Sequence, residues 1–564
     1  MTRLPVPSSL ALVLTFVLSG FAVAANPKLA HDLDTSNSNA RVNVIVKVKA
    51  GANERALNRM KGRGATHLSR LDLIDAHLMN VKASDLENLA NDEDIEFIAP
   101  DRQVTHTAYA GGPDYGWMVT EGLTSTYGTL AYDGTGIGIA MLDTGTDGWA
   151  DLNNSSSVSR VVYKKDFTGA NKPEDLHGHG SMVAGILAGN GYHSNRSNGT
   201  YWIRGYAPNA NILNLKVLSN TGVGSDSYVI AAITQAISLK STYNIRVMNI
   251  SLGRPIASSY ATDPLCLAVK QAWDAGIVVV VAAGNSGRDN SKGTNGYGTV
   301  TSPGNSPYVI TVGAYNTSAT LPTGDDKMTS YSSKGPTNID HIAKPDLVAP
   351  GNRVLSILNA KSYLDATYPN NLVPMTAYTS STSTSDTSYF QLSGTSFAAP
   401  AVAGAAALLI QKTPGLTPDQ VKARLLKTAT RLPTVTTSAV DAVTKVQYLT
   451  QNDLFTVGAG LLNVPAALAS TDLLTGSAVS PTAVYNASAN NVTLQFPTGS
   501  GVVWGTGVVW GTGVVWGTGV VWGTGVVWGT NVVGSTGVVW GTGVVWGTGS
   551  DAIEAETVSI NGED

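Results

Sequence analysis

Gly394-Thr395-Ser396-Phe397-Ala398-Ala399-Pro400 is the stretch on which the fold turns. A Gly-Thr turn delivers a serine to the start of an Ala-rich helical run, Phe397–Gln411. There the serine N–H points with the helix N-terminus at an incoming carbonyl, helped by the positive end of the helix dipole. A capping serine would look the same in isolation, but the seven-residue box supplies the context that a nucleophile needs. Three further boxes lie upstream. Asp143-Thr144-Gly145 follows the apolar run Ile137–Met141. His179-Gly180-Ser181-Met182-Val183-Ala184-Gly185 opens a small-residue helix. Ala283-Gly284-Asn285-Ser286-Gly287 follows the apolar run Ile277–Val281. Acyl transfer by a serine needs a nucleophile, a base, a group that orients the base, and donors for the oxyanion.

The roles divide by chemistry. His179 is the expected general base and Ser396 the nucleophile. Asp143, at the carboxyl end of a strand, can accept from the imidazole Nδ1–H and fix its tautomer. Asn285 and the Ser396 N–H are the expected oxyanion donors. His177 competes for the base, but no small-residue helix follows it directly, so it reads as a loop residue near the cleft. Asp-Thr-Gly also marks aspartic proteases, which pair two such aspartates; no second Asp-Thr/Ser-Gly occurs here. Asp147 and Asp151 read as downstream loop acids, structural or near a calcium rather than catalytic.

In these boxes, and in their Asp, His, Ser order, the chain resembles the subtilisin-like (subtilase) serine peptidases, from about Gly134 to about Pro465. The family usually has Thr at Ser181 and a second His at Met182; the working imidazole is kept. The resemblance implies an α/β, three-layer fold with a mostly parallel sheet. The chain agrees independently. Nearly uniform apolar runs at Ile137–Met141, Ile212–Val217, Val247–Ile250, Ile277–Val281 and Val309–Val312 alternate with helical stretches at Gly180–Ala188, Ser227–Lys240, Pro264–Ala275, Phe397–Gln411 and Pro418–Thr428. The family sandwiches an extended peptide between two segments, which here are Ser251-Leu252-Gly253 and Gly222-Val223-Gly224. Gly253 and Gly284 suggest an open pocket for the side chain preceding the scissile bond, with Thr301 at its floor. Structural Ca2+ is implied by the resemblance alone. The loop Gly189–Asn198, where it would be sought, is poor in carboxylates and assigns no ligand.

Working outward, residues 1–24 read as a signal peptide: Arg3, the apolar run Leu10–Leu18, and Ala22-Val23-Ala24 as cleavage site. Secretion to the extracellular space or cell surface is therefore expected. Residues 25–110 form a unit with strands at Arg41–Val48, Leu78–Val81 and Ile95–Ala99 and helices at Asn53–Lys61 and Ser84–Leu89. This unit is similar to the subtilase pro-domain, a small α+β ferredoxin-like inhibitor that assists folding. The peptidase domain spans 111–470, a linker 471–500, Gly-Val-Val-Trp-Gly-Thr repeats 501–548, and an acidic tail 549–564. Two readings stand: the repeats stack as a small β-solenoid or meander, or they are sticky, disordered and aggregation-prone. Their tryptophans offer contact with a cell surface or with another copy.

Composition excludes other classes. A net charge of −4 without basic runs argues against nucleic acid. A lone cysteine, Cys266, cannot form an intrachain bridge and reads as a buried hydrophobe. The expected partners are peptide substrates and the chain's own pro-domain. The competing reading is a surface or adhesive repeat protein with a degenerate peptidase-like domain. The four intact boxes discriminate against it.

Overall fold

Runs that are apolar on both faces can only be satisfied between two covering layers. Gly138–Asp143 (β6) and Val278–Ala282 (β12) are such runs, and every residue in both is buried. A computed structural model describes residues 26–33, 37–106, 132–194, 202–318, 323–380, 388–433, 435–441, 443–473, 476–486, 491–495 and 563. The signal segment 1–24 and the repeats 501–548 lie outside them, as does most of 549–564.

The N-terminal unit runs β1 (Arg41–Val48), helix Asn53–Gly62, β2 (Thr66–Leu71), β3 (Ala76–Lys82), helix Leu86–Ala90 and β4 (Ile95–Pro100). Its four strands are ordered β2-β3-β1-β4. Val44, Val46, Met79 and Val81 alternate onto one face and bury against Leu57, Met60, Leu86 and Leu89 of the helices. The opposite face carries Ile45 and Ala76, which join the core of the larger unit. There β2 and the turn 72–74 pack on helices Asp226–Ser238 and Pro264–Asp274. A short strand, β5 (Gln103–His106), leaves the unit.

The larger unit is built on an eight-stranded sheet. Its remaining strands are β7 (Val161–Asp166), β8 (Asn211–Lys216), β10 (Ile245–Ile250), β13 (Ile310–Asn316), β14 (Lys327–Met328) and β15 (Leu347–Pro350). The order is β14-β13-β12-β10-β6-β8-β7, with β15 also on β13; only β13–β14 is antiparallel. The chain fills one side of β6 with β8 and β7 before crossing to β10, β12 and β13. The carboxyl end of β6 is thus a point where the strand order reverses, the usual place for a ligand crevice. Helices His179–Ala188 and Thr395–Lys412 pack together on one side of the sheet, and helices Asp226–Ser238 and Pro264–Asp274 on the other.

Several boundaries differ from the sequence reading. Ser227–Lys240 is two helices, Asp226–Ser238 and Lys240–Tyr243, parted at Leu239. The edge strands β2 and β7 and the short β15 carry no clear periodic signal. The stretch 471–500, expected as a linker, is partly built into the fold. Ser480 is buried, and Thr482–Asn486 (β20) pairs with Asn491–Gln495 (β21). Its backbone is fixed by Ala343 N–H to Pro481 O and Ala483 N–H to His341 O, at 2.8 and 2.7 Å.

Candidate active site

Asp143 ends β6 with no solvent exposure. Its Oδ1 accepts from the Thr144 N–H at 2.7 Å and from His179 Nδ1 at 2.6 Å. That second bond fixes the ring so that Nε2 is the basic nitrogen. His179 is the first residue of its helix and rests against Phe397, ring centroids 5.3 Å apart.

Asp175 positions this helix and was missed by the sequence reading. Its Oδ1 accepts the N–H groups of His177 and Gly178 and the Thr144 hydroxyl; its Oδ2 accepts the Ser181 N–H at 2.7 Å. One carboxylate thus ties first-turn amides of the histidine helix to the aspartate box. The only sequence signal was an acid four residues before His179. Gly180 is required by proximity, since a Cβ there would lie 2.1 Å from the Gly145 carbonyl oxygen.

His177 is buried, stacked on Tyr363 and 6.4 Å from His179, centroid to centroid. Burial, and then the neighbouring His179, push its pKa down to about 3, so it is neutral at any working pH. Its ring forms part of the wall beside the histidine helix. Asp147, also in this loop, is pushed up to about 6, by burial first and Asp175 second.

Ser396 is the second residue of helix Thr395–Lys412, so its N–H is among the first four, which have no intrahelical acceptor. Its hydroxyl donates to the Ser251 carbonyl at 3.0 Å. Asn285 approaches the same helix end: its Oδ1 accepts from the Thr395 N–H and hydroxyl, each at 3.0 Å. These bonds orient the amide and leave Nδ2 buried with no partner among the described residues. An unsatisfied buried donor costs about 1–3 kcal/mol, which an oxyanion would recover.

Two edges flank the site, β9 (Val223–Ser225) and β11 (Leu252–Gly253). Between them lies β5, antiparallel to both. Thr105 faces Gly253 and Val223, His106 faces Leu252, and Val104 faces Gly224 and is fully buried. Gly222 sits in the turn entering β9 with φ +76° rather than in the ladder. Gly253 and Gly284 both adjoin Thr301. A Cβ on Gly253 would lie 2.4 Å from Thr301 Oγ1, and one on Gly284 2.8 Å from Thr301 Cγ2. Glycine at both positions is what leaves Thr301 its place.

Calcium fits the described part of the loop Gly189–Asn198 poorly. Asp151, the nearest buried carboxylate, already accepts from His193 Nδ1 and from the Tyr389 hydroxyl. No group of three or more His, Cys, Asp or Glu is placed to hold a metal among the described residues. Cys266 is buried beside Asn305, and burial pushes its thiol pKa well up, as befits an inert core residue. No described helix is long and apolar enough to cross a membrane.

The family model described as "Subtilase family" matches residues 134–460. Serine protease AprX of Bacillus subtilis (strain 168) is 39% identical over 304 residues, which are 53% of this chain and 62% of AprX. Subtilisin DY of Bacillus licheniformis is 33% identical over 337 residues, 60% of this chain and 92% of that protein. Fervidolysin from Fervidobacterium pennivorans, a keratinolytic enzyme related to subtilisin, shares the fold with a TM-score of 0.57. That likeness, at 21% identity, covers 81% of this chain and 64% of fervidolysin's. The chain belongs to the subtilase family of serine endopeptidases.

Proposed function

We propose that this chain is a secreted endopeptidase that hydrolyses peptide bonds through an acyl-enzyme on Ser396 and is made as a self-inhibited precursor. The observation that carries the reading is the convergence on one crevice of three features: the Asp143–His179 pair, the Ser396 hydroxyl at a helix N-terminus, and the unpartnered Asn285 amide.

The substrate backbone adds as a strand between β9 and β11, by main-chain bonds that do not read sequence. Ser396 Oγ then turns from the Ser251 carbonyl toward His179 Nε2. Oγ attacks the scissile carbonyl as Nε2 takes its proton, and Asp143 stabilises the imidazolium without taking that proton. Asn285 Nδ2 and the Ser396 N–H hold the oxyanion. The imidazolium hands the proton to the leaving amine as the C–N bond breaks. Water, deprotonated by the same imidazole, then cleaves the ester and restores the serine.

Self-inhibition is supported by β5, which occupies the substrate position as the last described part of the N-terminal unit. We read that unit as a ferredoxin-like pro-domain. His106 pairs with Leu252, one residue short of Ser251, whose carbonyl accepts from the Ser396 hydroxyl; we therefore propose that the bond cut lies one residue further along the sequence, Thr107–Ala108. Val104 then fills an apolar subsite three residues before Thr107. Secretion rests on the signal reading of residues 1–24. Calcium is not assigned a role.

Two measurements test this reading. A fluorophosphonate should label wild type and not Ser396→Ala. N-terminal sequencing of purified wild type should begin at Ala108, and Ser396→Ala should keep its N-terminal unit. Labelling of Ser396→Ala, or normal processing of it with no other protease present, would overturn the assignment.

A further inference from the structure

Glu563 lies far beyond every catalytic box, yet it is 1% exposed on the larger unit. Its carboxylate accepts from Arg288 Nη2 at 2.6 Å. It also accepts from the Ser330 N–H, at 2.9 Å to Oε2, and from the Ser330 hydroxyl. Its main chain is held separately. The Glu563 N–H donates to Asn352 Oδ1 at 3.1 Å, and Asn352 Nδ2 donates to the Glu563 carbonyl at 3.0 Å. Asp441 forms a backbone bridge to Glu563 from the other side. One side-chain amide reads the backbone of one residue in both directions, while an arginine, a hydroxyl and an amide read its carboxylate.

The receptor is itself rigid. Arg288 has a 4% exposed side chain, stacks over Tyr448 and pairs with Asp441 at 2.6 Å. Its Nε donates to Ser330 Oγ at 2.7 Å. With Glu563 withdrawn, Arg288 keeps Asp441, but the buried Ser330 N–H and the Asn352 amide lose the partners shown here. Such polar groups, buried and mutually oriented, are costly unless something fills them.

We infer that Arg288, Ser330, Asn352 and Asp441 form an internal receptor for Glu563, which anchors the chain at that residue on the peptidase unit. The outgoing strand supports the same picture. Tyr485 of β20 and Val492 of β21 line the cavity of about 530 Å3 that Arg288 and Ser330 also line. The outgoing strands and Glu563 therefore meet the peptidase unit at one place. The recognised chemistry is an extended peptide bearing glutamate; aspartate would be one methylene short of Arg288 and Ser330.

The test uses the full chain in the Ser396→Ala background, so that self-cleavage cannot confuse it. Hydrogen exchange is followed at the amides of Ser330 and Glu563. Both should exchange at least about tenfold faster in Glu563→Ala, and likewise in Asn352→Ala, than in the parent. Asp564→Ala should match the parent, and the β12 amides should stay protected in all variants, showing that the fold is intact. Carboxypeptidase should trim the acidic segment of Glu563→Ala faster than that of the parent. Equal exchange at residue 330 in parent and Glu563→Ala, or an unprotected residue 563 in the parent, would overturn this anchoring.

Discussion

Ser251 and Ser396 hold each other by crossed hydrogen bonds: the Ser396 hydroxyl donates to the Ser251 carbonyl at 3.0 Å, and the Ser251 hydroxyl donates to the Ser396 carbonyl at 2.8 Å. The second bond exists because of Pro400. Pro400 lies inside the helix, four residues after Ser396, and has no N–H to give to that carbonyl. A helix defect, written as the proline of the serine box, thus ties the Ser396 backbone to Ser251, beside β11. Asn249 Nδ2 completes the link, donating to Ser251 Oγ at 2.8 Å.

Pro400→Ala should therefore separate activity from stability. The new N–H competes for the Ser396 carbonyl and loosens Ser251, at about 1 kcal/mol of positioning, or roughly fivefold in kcat. The helix itself should gain stability, because an interior proline is removed. Steady-state kinetics on a chromogenic peptide, beside thermal melts, decides the matter. A variant that is more stable with unchanged kcat would leave the crossed pair without a catalytic consequence.

Asn285→Asp tests the oxyanion assignment more sharply than alanine would. The carboxylate keeps an acceptor for the Thr395 N–H and hydroxyl, so the turn should stay folded. The donor at Nδ2 is lost and a negative charge faces the developing oxyanion. The expected fall in kcat is at least about 10²–10³-fold with KM little changed. A loss confined to KM would move Asn285 from transition-state stabilisation to substrate binding.

The two histidines should respond differently. His179→Ala, like Ser396→Ala, should leave only the residual rate due to binding and the oxyanion donors, about 10³–10⁴ above water. His177→Phe keeps an aromatic ring against Tyr363 and removes a group that is already neutral. Its kcat/KM should drop by less than about tenfold, with the acid limb of the pH profile unmoved. A shifted acid limb in His177→Phe would mean that this ring takes part in the titration.

The four boxes were legible because acyl transfer dictates both residue type and local turn, and each box is local. What was missed is either weakly patterned or long-range. β7, Val-Val-Tyr-Lys-Lys-Asp, is an edge strand with exposed lysines and so lacks the apolar run that marked its neighbours. β2 is an exposed edge of the N-terminal sheet. Asp175 acts through backbone amides, and no residue-type rule announces such an acceptor. Ser480 and Glu563 are polar residues in polar stretches; only burial against residues more than a hundred positions away gives them meaning.

The N-terminal unit should weaken in mild acid. His77 is buried on β3 beside His67, ring centroids 5.2 Å apart. Burial, then His67 and Arg70, lower its pKa from 6.5; Glu54 and Asp72 oppose this more weakly. A depressed histidine contributes stability above its unfolded pKa and loses it as pH falls through the window below 6.5. Asp101 works in the opposite sense. It caps helix Asp226–Ser238 through the Ser227 N–H and hydroxyl, and burial raises its pKa, so docking through it gains as pH falls. In Ser396→Ala, the protection factors over residues 41–100, which are corrected for the slower intrinsic exchange at low pH, should fall from pH 7.5 to pH 5.5, and His77→Phe should remove the part of this due to His77. A unit equally protected at both pH values would rule His77 out as an acid-sensitive element.

Where the chain is cut should matter more than how much is removed. Ser480 is buried, and its hydroxyl donates to Asp346 Oδ1 at 2.6 Å. Asp346 in turn receives Lys344 at 2.6 Å and Lys422 at 3.2 Å, all three ions being buried. Lys422 Nζ also donates to Ser480 Oγ and to the carbonyls of Pro307 and Val309, at 2.9, 3.0 and 2.9 Å. Two cations share one carboxylate here, and burial, against the opposing pull of Asp346 and with the help of Lys422, brings the Lys344 pKa down to about 7. A truncation ending at residue 476 would strip Ser480 from this cluster and take with it the Ala478 N–H that donates to Asp419 at 2.6 Å. Removing a buried hydroxyl that is hydrogen-bonded to charged groups costs about 1.5–3 kcal/mol. A truncation ending at Gln495 keeps the cluster and both strands of the β20–β21 hairpin. Thermal melts of the two, both carrying Ser396→Ala, should place the shorter chain well below the longer one. Equal melting points would mean that residues 477–495 rest on the peptidase unit without stabilising it.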